Sequence, residues 1–103
     1  MGSSCLLNNT SGSFNTAIGF KSLFSNIIGS NNTAIGYLSL TNNTNANNTA
    51  IGSYCSKNNI IGRNNTAIGT NSQFNNNGNY NTSIGSGSLY SNIIGENNIS
   101  IGY

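Results

Sequence analysis

Few residues of this 103-residue chain are of types that do acid–base, nucleophilic or ionic chemistry: Cys5, Cys55, Lys21, Lys57, Arg63 and Glu96 stand out, and there is no His and no Asp. A Ser or Cys nucleophile has no base to activate it, a lone Glu makes no carboxylate pair, and metal hydrolysis lacks its ligands. The chain reads as non-enzymatic, with no cofactor and no metal. Three scattered basic residues and a net charge of +2 give no stripe for nucleic acid. What remains is amide chemistry, since 24 residues are Asn, each side chain carrying two donors and an acceptor.

The Asn residues are placed by a repeat. Asn-Thr-Ala-Ile-Gly occurs at 15–19, 32–36, 48–52 and 65–69, followed by Asn-Thr-Ser-Ile-Gly at 81–85 and Asn-Ile-Ser-Ile-Gly at 98–102. The isoleucines Ile18, Ile35, Ile51, Ile68, Ile84 and Ile101 are spaced 17, 16, 17, 16 and 17. A fixed period of that size signals stacked, near-identical turns. The composition alone also suits a disordered polar tract, but such a tract has no need for isoleucines in constant phase. The expectation is one ordered repeat domain over residues 1–103.

With the isoleucine as position 0, the rest of each turn aligns. Position −3 is Asn15, Asn32, Asn48, Asn65, Asn81 and Asn98, and position 8 is Asn26, Asn43, Asn59, Asn76 and Asn92. Position 4 is Ser22, Ser39, Cys55, Ser72 and Ser88, and the register extends back to Met1-Gly2, with Cys5 and Asn9 in place. Helix is disfavoured by Asn, Gly, Ser and Thr. Extended Thr-Ala-Ile puts Thr and Ile on one face and Ala on the other. The constant isoleucines are expected to form the structural core, with Thr beside them. A second short strand is expected over positions 4 to 6, as in Ser22-Leu23-Phe24 and Ser88-Leu89-Tyr90.

The predicted fold is all-β, a parallel β-solenoid of about six turns with 16 or 17 residues per turn. The two Asn columns are expected to hydrogen-bond along the rod as amide ladders. Cys5 and Cys55, three turns apart, would be separated by about 14 Å, too far for a disulfide, and read as small substitutes for Ser. A longer period also appears. Asn-Ile-Ile-Gly at 26–29, 59–62 and 92–95 alternates with polar Asn43-Thr44-Asn45-Ala46 and Asn76-Asn77-Gly78-Asn79, either a contact point for a neighbouring chain or a duplicated corner insertion. The column Thr16, Thr33, Thr49, Thr66 and Thr82 resembles that of ice-binding solenoids, but on the isoleucine side it is expected to point inward. The longest apolar run, three residues, is too short for a membrane span or a signal-peptide core.

Asn-Thr-Ala-Ile-Gly, two variable residues and then a small one resembles the YadA-like head repeats of trimeric autotransporter adhesins and related phage and giant-virus fibre repeats. The resemblance covers essentially the whole chain. It implies a left-handed β-roll, three chains side by side, and surface display or adhesion, although the family period is nearer fourteen residues.

No atypical capping turn closes either end of the repeat, so Met1 and Gly2 at one end and Ile99, Ile101 and Tyr103 at the other are expected to be assembly ends. The expected function is a structural subunit that stacks head to tail into an extracellular or virion-associated filament, with lateral bundling or trimerisation. The alternative is a trimeric fibre head, adhesin-like, that binds a host or cell-surface ligand.

Overall fold

The computed structural model describes residues 2–103. Its regular structure is six three-residue strands, β1 (Thr16–Ile18), β2 (Thr33–Ile35), β3 (Thr49–Ile51), β4 (Thr66–Ile68), β5 (Thr82–Ile84) and β6 (Ile99–Ile101), with no helix. They form one parallel sheet in the order β1-β2-β3-β4-β5-β6. Each strand pairs with its successor residue for residue, Thr16 with Thr33 and Ile18 with Ile35, through to Ser83 with Ser100. The chain is thus a parallel β-solenoid, a rod with extents of 32 × 20 × 17 Å.

The strand faces are the reverse of the sequence expectation. Ala34, Ala50, Ala67 and Ser83 are fully buried, whereas Ile51 and Ile68 are 37% exposed, Ile18 is 44% and Ile84 is 40%. Ile35 is half-buried and Ile101, at the open edge, is 74% exposed. The isoleucines Ile18, Ile35, Ile51, Ile68, Ile84 and Ile101 are therefore an outer column, not the core. Alternation places Thr and Ile together but does not say which face turns inward. The thinness of the rod decides it. Across the interior, position 4 of one turn touches position −1 of the next: Ser72 Oγ meets Ser83 Oγ, Ser88 Oγ donates to Ser100 Oγ at 2.8 Å, and Cys55 Sγ donates to Ala67 O at 3.2 Å. Only Ala or Ser fits between walls that close. The outer isoleucines still lose water by stacking on one another, which is why the edge residue Ile101 is about twice as exposed as the middle ones.

The second strand expected over positions 4 to 6 is instead a pair of tight turns. Position 3 (Lys21, Leu38, Tyr54, Asn71) and position 5 (Leu23, Leu40, Ser56, Gln73, Leu89) all have φ between 47° and 57°, which prevents an extended run. The N–H of position 4 donates to the carbonyl of the glycine three before it, as in Ser22 to Gly19 at 3.3 Å and Ser72 to Gly69 at 3.2 Å. A left-handed third residue in such a turn is the type II arrangement. Position 5 nevertheless turns inward, with Leu23 and Leu40 fully buried. At position 6 Leu7 is 63% and Tyr90 43% exposed, while Thr41 is buried.

Backbone bonds join successive turns on this side too, including Leu23 N–H to Ser39 O at 3.1 Å and Ser56 N–H to Ser72 O at 2.9 Å. The sheet corner depends on glycine. Gly52 has φ +140°, and a Cβ there would lie 2.6 Å from Gly69 O, so a side chain would wedge the turns apart.

The face assignment can be checked by substitution. Ala50→Leu should destabilise by about 2 kcal/mol or more through overpacking, whereas Ile51→Ser should cost about 1 kcal/mol, the value of a partly exposed side chain. Urea unfolding followed by circular dichroism would measure both, and the opposite ranking would restore an isoleucine core.

Candidate functional site

The chemistry of this molecule lies in its Asn columns. At position −3, each amide oxygen accepts the backbone N–H of the Asn one turn on: Asn15 from Asn32 at 2.9 Å, Asn32 from Asn48 at 2.9 Å, Asn48 from Asn65 at 3.0 Å, Asn65 from Asn81 at 2.9 Å and Asn81 from Asn98 at 3.0 Å. Each amide nitrogen reaches a corner carbonyl of that same next turn: Asn15 to Gly29 at 2.7 Å, Asn32 to Asn45 at 2.8 Å, Asn48 to Gly62 at 2.9 Å, Asn65 to Gly78 at 2.8 Å and Asn81 to Gly95 at 2.7 Å. The expected amide-to-amide ladder is thus an amide-to-backbone clamp.

Position 8 comes closer to the ladder expected of it. Its amide nitrogens donate within the turn, as in Asn26 to Gly29 O at 2.8 Å and Asn59 to Gly62 O at 3.1 Å. They also donate back to the preceding amide: Asn26 to Asn9 at 2.8 Å, Asn43 to Asn26 at 3.4 Å, Asn59 to Asn43 at 3.4 Å and Asn92 to Asn76 at 3.1 Å. In the shorter turns the two columns cross-link, Asn48 Nδ2 to Asn43 Oδ1 at 3.0 Å and Asn81 Nδ2 to Asn76 Oδ1 at 3.2 Å. Deleting one corner residue brings these pairs together.

One rung is missing. Asn76 Nδ2 donates to Gln73 Oε1 at 3.1 Å, not to Asn59, and Asn59 Oδ1 is buried with no partner. Gln73 is a fully buried amide where four other turns carry Leu. A short third ladder at position 7 escaped the sequence reading: Asn42 Nδ2 donates to Asn58 Oδ1 at 2.9 Å and Asn58 Nδ2 to Asn75 Oδ1 at 2.8 Å. The tripled Asn at 75–77 is a signal that could have pointed to it.

A surface column of rings also went unnoticed, because its members shift register: Phe20 and Tyr37 at position 2, Tyr54 at 3, Phe74 and Tyr90 at 6. Their centroids are 5.6, 5.2, 6.4 and 5.0 Å apart in succession. Lys21 lies 5.4 Å from the Phe20 ring and 5.2 Å from the Phe24 ring, and Lys57 lies 5.5 Å from Tyr54, so two of the three basic groups rest on aromatic faces.

Both cysteines are free, Cys5 half-buried and Cys55 buried. Burial pushes the Cys55 thiol from its ordinary 9.0 up to about 12, with hydrogen bonds from its surroundings partly offsetting the shift. Among the described residues no three His, Cys, Asp or Glu side chains gather to hold a metal, and no helix is long and apolar enough to cross a membrane. Of the expected assembly ends, Met1 lies outside the described residues. Gly2 is exposed at one end of the rod and Ile99, Ile101 and Tyr103 at the other, at 78%, 74% and fully. No protein-family model, curated protein or solved structure matches the chain.

The broken rung predicts a stabilising substitution. Gln73→Leu should free Asn76 to bond Asn59 Oδ1 and raise stability by about 1 kcal/mol, seen as a higher Tm; a lower Tm would mean that Gln73's own bonds to Thr66 O and Asn81 O outweigh the rung. The thiol predicts a pH dependence. Because its folded-state value is raised, the folded chain holds a proton that the unfolded chain releases above about pH 9. Stability from this group is therefore intact below pH 9 and falls between about 9 and 12. Cys55→Ser should remove that part of the alkaline slope in parallel unfolding titrations.

Proposed function

We propose that this chain is a structural rod, a β-solenoid subunit that stacks head to tail in an extracellular or virion-associated filament and has no catalytic role. One observation carries the reading. Asn15, Asn32, Asn48, Asn65 and Asn81 all send their amide nitrogen forward to a carbonyl of the next turn, whereas Asn98 folds its own back onto Asn81 Oδ1 at 3.0 Å. Likewise the N–H groups of Thr16, Thr33, Thr49, Thr66 and Thr82 each donate forward to the next Asn carbonyl at 2.8 Å. The corresponding N–H of Ile99 in β6 faces the open edge. A further turn, from the same polypeptide or from a second copy, completes both sets, and the first turn of a second copy carries the groups to do so.

The lack of charge supports the same reading, since charge and proline ordinarily guard strands against pairing with another chain, and no described strand carries either. Stacking by a contact that does not close on itself generates an open fibre. The likeness to adhesin and viral fibre repeats agrees with a place on a cell or virion surface.

A trimeric fibre head that binds a host or cell-surface ligand is the second reading. The observation favouring it is the corner of alternate turns, where Ile27, Ile28, Ile60, Ile61, Ile93 and Ile94 are 47–83% exposed. These pairs could pack chains side by side.

Negative-stain microscopy of the dilute 103-residue polypeptide separates the two. Long uniform fibres are expected, and short discrete particles alone would transfer the conclusion to the fibre head. Ile99→Pro removes the forward N–H without disturbing any bond inside the chain. It should abolish elongation while leaving the circular dichroism spectrum and Tm unchanged, and fibres of normal length from this variant would refute end-to-end stacking.

A further inference from the structure

Because the Ala and Ser column turns inward, the strand face holding Thr16, Thr33, Thr49, Thr66 and Thr82 beside the isoleucine column looks outward. The Thr column therefore lies on the outside of the rod and not, as an isoleucine core would require, within it. We infer that this face is a binding site for the surface of an ice crystal.

Regularity is the first argument. Each strand contributes one hydroxyl and one branched apolar side chain, about 6.6 Å apart along the strand, and repeats them about every 4.8 Å up the sheet. Five successive pairings keep the same register, and the Thr N–H bonds that set the spacing are all 2.8 Å. The alternation between 16 and 17 residues is absorbed at the far corner, around positions 9 to 13, so it never disturbs this face. The only departure is Ile99, which takes the Thr place in the last strand.

The second argument is chemical. Thr10, Thr41 and Thr44 tie their hydroxyls to the carbonyls of Ile27, Lys21 and Ile60. Among the described residues, the five hydroxyls of the column have no protein partner. Each therefore meets the surrounding water as both donor and acceptor, with a methyl of its own and an isoleucine beside it. None of the four charged residues lies at a strand position, so no strongly hydrated ion breaks the array.

The third argument concerns what else might cover it. Six strands at about 4.8 Å spacing make the face about 24 Å long, and three residues at strand rise make it about 10 Å wide. That is roughly 240 Å², well under the roughly 800 Å² per partner of a stable protein interface. A dry protein contact would also strand five hydroxyls, at about 1–3 kcal/mol each. No cleft among the described residues offers the concave site a small ligand needs. An extended lattice of water satisfies every hydroxyl, tolerates the methyls and needs no cavity.

The test uses the 103-residue polypeptide in solution near freezing. Thermal hysteresis and faceting of a single ice crystal are expected for the wild type, together with adsorption of fluorescently labelled protein to an ice hemisphere. Thr49→Lys with Thr66→Lys should abolish all three while leaving Tm unchanged, because both side chains point away from the core. Ser91→Lys, at an exposed position outside the strands, should behave as wild type. Absence of hysteresis and ice adsorption in the wild type would overturn the inference, as would full activity in the double Lys variant. Concentration-dependent dimerisation abolished by the same two substitutions, without ice adsorption, would assign the face to a second copy and likewise overturn it. End-to-end stacking leaves this face uncovered, so the result is independent of the fibre experiment.

Discussion

Everything in this rod depends on the asparagine at position −3 engaging two backbone groups of the turn above it. Its oxygen takes an N–H and its nitrogen finds a carbonyl, so one buried side chain fixes both the height and the rotation of the next turn. Ser, with a single hydroxyl, cannot reach two sites, and Gln, one methylene longer, has to fold back in so narrow a space. Buried amides are stabilising only when their groups are satisfied. Among the described residues nearly all buried side-chain polar atoms are, with the Ser39 hydroxyl and the Asn59 amide oxygen the exceptions.

A core built on amides has consequences for every other residue choice. The walls must approach until side-chain polar atoms meet backbone, and this leaves room for Ala, Ser or Cys where an ordinary sheet would bury Val or Ile. Apolar burial is then obtained by stacking like on like along the outside, in the isoleucine column and the ring column of Phe20, Tyr37, Tyr54, Phe74 and Tyr90. Leu23 and Leu40 are the large apolar side chains fully enclosed. Left-handed backbone at Leu, Tyr and Gln positions is part of the same arrangement, since a tight turn is the only way to bring the second wall close enough.

The solenoid separates three directions. Along the axis it presents hydrogen-bonding edges, on the strand side an uncharged lattice of hydroxyls and methyls, and at the far corner paired isoleucines in alternate turns. Length variation is confined to that corner, where Asn77 Oδ1 accepts the N–H groups of Ile60 and Ile61 and Asn79 Oδ1 that of Arg63. Such side-chain bonds hold the turns in step despite the odd residue. Functions assigned to the axis, the face and the corner do not compete for the same atoms.

The amino-acid sequence by itself determined the architecture. The phase of Ile18 through Ile101 and of two Asn columns dictates stacked turns and parallel strands over Thr-Ala-Ile, because identical residues can recur at a constant interval with profit only if they lie over one another. The column of small residues at position 4 and the separation of Cys5 from Cys55 were equally legible. The inward face was not. Strand alternation is symmetric, and only the separation of the two walls, set by the reach of an Asn amide and by Ser72 meeting Ser83, excludes isoleucine from the inside. The turns at positions 3 to 6 were hidden for a similar reason. Leu and Tyr have no local preference for positive φ, so their left-handed conformation is imposed by the turns above and below, and only the tertiary structure could decide it.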